Sequence, residues 1–593
     1  MSRRVWLAGA DGSVVSRGLG VLRLSLLALA IGQGLVANAF ATASLLPYLI
    51  SLVLTGGVLG STLLPQLLPQ YLTPGTEVAR AEGAGATSQA QPRAGSRGRG
   101  WRPAVATGID RGMALILGGL LLLTIVCVVA AGPLVRTLGS GLSGSLGDLT
   151  ASFAAITLVQ VFLYGVCGVL GRVLLRRRRL GTLGWAPAAG ELVGIAGLVV
   201  FMQLFQGHVS SAEWTRDMIW WLAGSTTVGI TVQALVLAAV VWRSRPDHPV
   251  VTVVAPEAAS GSAIGMTTTG TPASAWAPPT SRWLGWGSVT VLLIVASYVV
   301  ASQVMWRATG YDEVSRSPEQ PFVAGLTILV NALVVVLLPH ALLTRPLLVW
   351  VHRGLATAIQ QDDRPDARSR VIQGLTLPAV ITIPGSIALV VFALPIMGLL
   401  FTSKDPAEVL ADATVLACLA PALFPMGVAL LGRRACEALR AHGASGALTA
   451  LLALTSIGVS VLAAFAPREW ATPLVAFGLV LGNVAAAAYG IRVVRRRIGP
   501  VAMSGIVRTW VRIFLAAAGG GYAAWGLVMV LTRALAGWSR IGYAVTLVIG
   551  TAVFTVIYLL VARLLRVDEV SVVAAPLINR LDRRPPGRHR PGD

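Results

Sequence analysis

The sequence predicts an all-α polytopic membrane protein with about fourteen transmembrane helices, and three observations carry that expectation. First, of 593 residues 55% are hydrophobic and only 12% charged, against about 25% charged in soluble proteins; the mean hydropathy is +0.75. Second, apolar runs of about 20 residues, the length that crosses a bilayer as a helix, recur from end to end. Third, arginines alternate between successive loops. Barrel strands are excluded, because they are about 10 residues long and alternate in polarity, whereas these runs are apolar on every side.

The elements follow in order. Span one (14–34) is Leu, Ala, Ile and Gly from residue 19 onward, yet carries Arg17 and Arg23; span two (42–68) ends in LLPQLLP. A polar stretch at 75–100, rich in Gly, Ala, Ser and Arg, has no core to bury and reads as a flexible linker. Spans three to six lie near 104–131, 150–173, 184–206 and 219–242. A second polar stretch at 243–282, rich in Pro, Thr, Ser and Ala, falls near the midpoint. Spans seven to twelve lie near 284–306, 321–344, 373–401, 409–432, 446–465 and 471–491, and a last pair near 510–532 and 541–563. Span eight ends in LLPHALL, so that Pro339 echoes Pro65 of span two. That match pairs spans two and eight as equivalent members of two six-helix halves, inserted in the same orientation as parallel repeats. The expected organisation is an N-terminal lobe (1–242), a cytoplasmic linker (243–283), a C-terminal lobe (284–491), an added helix pair (492–565) and a basic tail (566–593).

The net charge of +22 raises a nucleic-acid reading, which the positions of the charges exclude. With the N-terminus inside, the cytoplasmic loops hold Arg93, Arg97, Arg99 and Arg102, then the runs at 176–179, 364–370, 433–434 and 495–497, and a tail with five arginines from Arg580 to Arg590. The opposite loops hold few, among them Arg136, Arg216, Arg307, Lys404 and Arg468. This is the positive-inside pattern; it predicts both termini in the cytoplasm, with anionic-lipid contact as a secondary role for the basic runs. Trp185, Trp242, Trp283, Trp306, Trp350, Trp470 and Trp510 stand near run ends, where interfacial belts form. The first run shows no clear cleavage pattern and reads as a span rather than a removable signal.

Enzymatic chemistry finds no support. The only Lys is Lys404, in SKDP, which rules out a P-loop. There is no G-x-S-x-G, no H-E-x-x-H and no paired-cysteine motif. Cys127, Cys167, Cys418 and Cys436 read as small apolar residues, and the six histidines show no ligand pattern. A transporter without cofactor or metal is expected.

The informative residues are those the bilayer penalises. Arg17 reads as a snorkelling anchor or a cavity residue. Arg23, about 9 Å deeper at 1.5 Å per residue, is less able to snorkel and reads as cavity-facing. Asn38 is placed in the turn between spans one and two, as a cap or a site residue. Glu191, inside span five, calls for a proton or an ion pair with a neighbouring Arg. Gln233, Gln303, Asn331 and Asn483 read mainly as interhelical hydrogen bonds.

SRGLGVLR at 16–23, ANAF at 37–40, Leu46-Pro47 and GGVLGSTLLPQLL from Gly56 together resemble the opening of the lipid II flippase family (MurJ, also called MviN), within the multidrug, oligosaccharidyl-lipid and polysaccharide exporter superfamily. Its usual opening is S-R-x-L-G-x-x-R, then D-A-F, then L-P. Weaker echoes stand in WAPAAGEL at 185–192, LLPHALL at 337–343 and CEALRAHGAS at 436–445. The resemblance implies two lobes around a central cavity and translocation of lipid-linked peptidoglycan precursor, a disaccharide-peptide on undecaprenyl pyrophosphate. Its partners would be that lipid, membrane lipids and cell-wall synthesis or division proteins, in the bacterial cytoplasmic membrane. Arg17 and Arg23 match the family arginines and would contact the pyrophosphate or tune the cavity, with Asn38, Glu191 and Asn331 as further substrate-binding candidates. The chain departs from the family at Asn38, where an acid is usual, in YLISLVLTGG, which lacks the usual charges, at Glu319-Gln320, and in LRAHGASG. Export of another polyprenyl-linked glycan or a drug-like cation, and a non-transporting scaffold for cell-wall enzymes, are the alternatives.

Overall fold

The computed structural model describes residues 3–54, 103–139, 142, 144–176, 179–205, 214–243, 286–309, 322–401, 406–535 and 539–567. The end of span two with its LLPQLLP motif, the linker at 75–100, nearly all of 243–283, Lys404, Glu319-Gln320 and most of the basic tail lie outside them. Among the described residues every regular element is helical. Thirteen helices are long and apolar enough to cross a membrane, and a fourteenth span results if one bent pair counts as one.

Contacts divide the chain into two compact units, one of Met1–Ile31 with Leu35–Val295, the other of Gly32–Gly34 with Ala296–Asp593. In the first, α1 (Arg3–Ile31) and α2 (Leu35–Val53) are followed by α3 (Pro103–Val129) and α4 (Ala131–Leu138). The apolar part of α3 meets α4 at 72°, so the expected third span is broken near its end. Then come α5 (Gly144–Thr157), α6 (Gln160–Arg176), α7 (Leu180–Leu204) and α8 (Arg216–Arg243).

Most of the packing of α1 is against α7, and α7 also packs along α8. Lipid tails are as apolar as leucine, so helices in a membrane associate through close packing and polar contacts rather than burial. Gly190 of α7 and Gly229 of α8 show why small residues serve here: a Cβ on either would lie 2.7 Å from the other's carbonyl oxygen. Elsewhere in the unit, Thr157 Oγ1 donates to the Ala43 carbonyl at 3.0 Å, tying α5 to α2. Phe40 and the fully buried Phe153 meet edge-to-face at 5.4 Å, a favoured aromatic geometry.

The expected turn position of Asn38 is corrected. The turn is Gly32–Gly34, and Asn38 lies one helical turn inside α2, buried. Gly32 takes φ +71, which suits glycine and ends α1; LVANAF then has no residue that prevents a helix from starting at once.

Helix α9 (Trp286–Thr309) contains the division between the units. The second unit continues with α10 (Leu326–Pro339), a π segment (His340–Thr344) and α11 (Arg345–Gln360). Span eight is therefore longer than its expected end at 344. Pro339 cannot donate a backbone N–H, and the hydrogen-bond ladder loosens just after it. Next come α12 (Arg364–Thr376), α13 (Ala379–Val391), α14 (Ala393–Leu400), α15 (Pro406–Leu419), α16 (Leu423–Ala438), α17 (His442–Ala463) and α18 (Arg468–Ile498). A Cβ on Gly432 of α16 would lie 3.0 Å from the Gly490 Cα of α18, another backbone-to-backbone crossing. The last pair, α19 (Met503–Ala534) and α20 (Ser539–Leu564), packs on α13 around Ile383, Phe392, Ile513 and Phe554. There Tyr558 donates from its hydroxyl to the Val380 carbonyl at 3.1 Å.

Candidate functional site

The charged site of the first unit sits between α1 and α7. Arg23 Nε donates to Glu191 Oε2 at 2.7 Å, with the two side chains 26% and 27% exposed. The local sequence GELVG at 190–194 explains how they meet. Gly190 lets α7 close on α8. Glu191, about 100° round the helix, faces α1 where Gly20 offers no side chain; a Cβ there would lie 3.8 Å from Glu191 Oε1. Gly194, three residues on, leaves room for the Arg23 stem, whose Cδ would be 3.1 Å from a Cβ at that position. Tyr164 of α6 lies within electrostatic reach of both charges, a neighbour that sequence reading missed.

The pairing answers the cost of placing a carboxylate and a guanidinium in a span: each is the other's counter-ion, and the hydrogen bond is charge-assisted. Only Nε of Arg23 is committed to this bond, and a guanidinium carries five N–H donors in all. The site can thus hold a cation in place while it still offers donors to an oxyanion.

Of the other expected site residues, Arg17 lies half-buried on α1 and Asn38 is buried on α2. Arg17, Arg23, Asn38 and Glu191 all belong to the first unit; Asn331 belongs to the second. There Asn331 is 2% exposed and donates from Nδ2 to Gln33 Oε1 at 3.1 Å, while Gln33 Nε2 donates to Asp412 Oδ2 at 2.6 Å. Neither Gln33 nor Asp412 is singled out by sequence. The expectation for Asn483 is also corrected: its amide donates to Leu479 of its own helix at 2.8 Å rather than across helices. An asparagine in a long helix can turn back on the carbonyl four residues earlier, and here it does.

A sequence-family model described as "Lipid II flippase MurJ" matches residues 109–258 and 281–549, well over half of the chain. The chain belongs to the lipid II flippase MurJ family. The match does not include the opening that carries the two family arginines, but it does include WAPAAGEL, LLPHALL and CEALRAHGAS.

The fold agrees. A solved structure titled "Lipid II flippase MurJ, inward closed conformation" is similar with a TM-score of 0.62 at 14% identity, covering 96% of this chain and 100% of that one. An inward-facing multidrug resistance MATE family transporter of the MOP superfamily is similar with a TM-score of 0.50 at 15% identity, covering 86% and 96%. At these identities the likeness concerns the fold, an all-α membrane transporter. A MurJ-family chain is a multi-pass membrane flippase, not an enzyme.

Proposed function

We propose that this protein translocates lipid-linked peptidoglycan precursor across the bacterial cytoplasmic membrane by alternating access, with both termini in the cytoplasm. The observation that carries the reading is the family match over 109–258 and 281–549. The Arg23–Glu191 pair supports a mechanism for it. A diphosphate entering the membrane loses its hydration, and guanidinium N–H groups replace it with charge-assisted, often bidentate bonds. Arg23 is the main anchor in this reading and Arg17 stands nearer the cytoplasmic side. Glu191 holds Arg23 in its rotamer before loading, and the incoming diphosphate exchanges with it as the second anion. Alternating access then requires the substrate to bind one facing state more tightly than the other. The lipid and the surrounding membrane are the partners, and the basic tail is a docking region for cell-wall synthesis or division proteins.

The test is rescue of cells depleted of their own lipid II flippase, alongside a flipping assay on reconstituted protein. Rescue and flipping are expected together. Growth rescue by a variant that does not flip would move the reading to a scaffold, and transport of cationic drugs without lipid II flipping would move it to the alternative exporter. Topology is read by cysteine labelling of intact cells, which should miss 75–100 and 243–282 and reach the loop around Lys404.

A further inference from the structure

The exchange proposed at Arg23 leaves one group without a partner. When the guanidinium turns to an oxyanion, Glu191 becomes a lone carboxylate in a low-dielectric site, beside further negative charge. Breaking an ion pair in this way is costly unless the remaining group finds a new donor.

The surroundings of Glu191 hold few donors. It is the only charged side chain of α7, and α8 carries its charges at its ends, in Arg216, Asp217 and Arg243. Gln233 of α8 approaches α7 at Gly190, where its Cβ would lie 3.4 Å from an added Cβ, and so sits on the side of α7 turned to α8. On α1, Arg17 stands about 9 Å from Arg23 along the axis and about 240° round it. Among the described side chains of α6 the titratable groups are Tyr164, Cys167 and Arg172; Arg172 lies eight residues, about 12 Å, beyond Tyr164.

Tyr164 is the group aimed at the pair. Gln160, Tyr164, Cys167 and Gly171 recur at helical spacing on one face of α6. Gln160 Nε2 donates to Thr226 Oγ1 at 3.2 Å and to Thr227 Oγ1 at 3.0 Å, both on α8. Cys167 packs on the cluster of Leu174, Ala186 and Leu237, and a Cβ on Gly171 would lie 3.5 Å from Leu183 of α7. That face therefore looks onto α7 and α8. Tyr164 is half-buried between these anchors, within electrostatic reach of both Arg23 and Glu191. Among the described residues no hydrogen bond engages its hydroxyl or Glu191 Oε1.

We propose that the Tyr164 hydroxyl is the replacement donor: it bonds to Glu191 Oε1 when Arg23 turns to a diphosphate, and lets go when Arg23 returns. A phenol O–H is neutral, so it satisfies the carboxylate without adding a second cation to the site, and the Cys167 thiol is only a weak donor. Glu191 reaches the phenol by a change of rotamer, with no backbone shift. Tyr164 is thus a positioning residue, which lowers the cost of releasing Arg23 and touches no substrate atom. The inference rests on the Arg23 exchange of the proposed mechanism.

The test measures binding of undecaprenyl diphosphate to the full chain in nanodiscs, from about pH 6 to pH 8. Wild type, Tyr164→Phe, Glu191→Gln and the double variant are compared as ratios, so that titration of the probe itself cancels. Tyr164→Phe should weaken binding about tenfold at the upper pH, the worth of a hydrogen bond to a charged group. The loss should shrink as pH falls, because a proton on Glu191 then replaces the missing donor. In the Glu191→Gln background the same substitution should cost nothing, since no carboxylate is released. The unfolding midpoint of the empty protein should be the same in Tyr164→Phe and wild type. A loss independent of pH, an equal loss in the Glu191→Gln background or a lowered empty midpoint would make the hydroxyl a direct anion contact or a structural group, and overturns the proposal. So does wild-type binding by Tyr164→Phe, or no probe binding by the wild type. Protein that binds the probe with the expected pattern and does not flip lipid II keeps the Tyr164 exchange and loses the transport reading.

Discussion

Two polar clusters, one in each unit, solve the same electrostatic problem in opposite ways. In the first, Glu191 has a full counter-charge, Arg23, and both stay about a quarter exposed. In the second, Asp412 is fully buried and meets only an amide and, beyond it, another amide. An ion pair that keeps about a quarter of its surface in contact with its surroundings is held less tightly than a fully buried one, so its residues can exchange partners. A buried carboxylate with one unpartnered oxygen has a strong preference for a positive partner. The first arrangement suits exchange with a large anion; the second keeps its carboxyl behind two amides.

The variant with the largest expected effect separates the two. Arg23→Ala removes charge-assisted bonds of about 1.5–3 kcal/mol each, so flipping in proteoliposomes should fall about tenfold or more while membrane insertion is unchanged. Arg23→Lys should recover part of the loss, because a point charge replaces a planar fork. Wild-type flipping by a well-inserted Arg23→Ala protein would end the anchor assignment.

The charge swap Arg23→Glu with Glu191→Arg sharpens the comparison next. The pair can re-form across α1 and α7, so expression and unfolding midpoint should return toward wild type relative to either single variant. Flipping should stay low, because the guanidinium now springs from α7. Recovery of both properties would make the pair structural only.

A smaller effect is expected at the Gly190–Gly229 crossing. Gly190→Ala sets a methyl against a backbone carbonyl, and overpacking of this kind costs about 1–3 kcal/mol. The unfolding midpoint should drop. A full-stability Gly190→Ala protein would mean that the helices separate freely there.

The smallest belongs to the amide cluster. Asn331→Ala removes one neutral hydrogen bond, of the class that averages about 0.6 kcal/mol in membrane proteins. A slight fall in the unfolding midpoint is expected. An unchanged midpoint would mean that the Asn331–Gln33 bond adds nothing to stability.

The two clusters were not equally legible in the sequence. Arg23 and Glu191 stand out because each is a charge inside an apolar run, and that cost calls for either a proton on Glu191 or an ion pair with an arginine. The spans were legible for the same reason, since runs of about 20 apolar residues have few other uses. Asp412 was not, because PAEVLADATVLAC starts polar and reads as a helix leaving a loop, where an acid is ordinary. Its partner Gln33 is 379 residues away, and no local pattern reports such a pairing. Asn38 was misplaced by a few residues because the turn that displaces it is only Gly-Gln-Gly, within an otherwise apolar stretch. The break between α3 and α4 was likewise invisible to hydropathy, which reads composition and not direction.

The π segment His340–Thr344 acts as a phase shifter. It accommodates one more residue than an α turn does, and one residue corresponds to about 100° of rotation about the helix axis. The angular offset between Asn331 on α10 and the buried stripe Leu348, Val351 and Leu355 on α11 is thus set by five residues between them. Shortening that segment by one residue would restore a continuous α-helix without altering a single side chain in either half. The stripe of α11 would keep its direction, because the wide turn fits its extra residue into nearly the rotation of an α turn; the same five residues wound as α-helix would instead turn the stripe by about 100° away from its core.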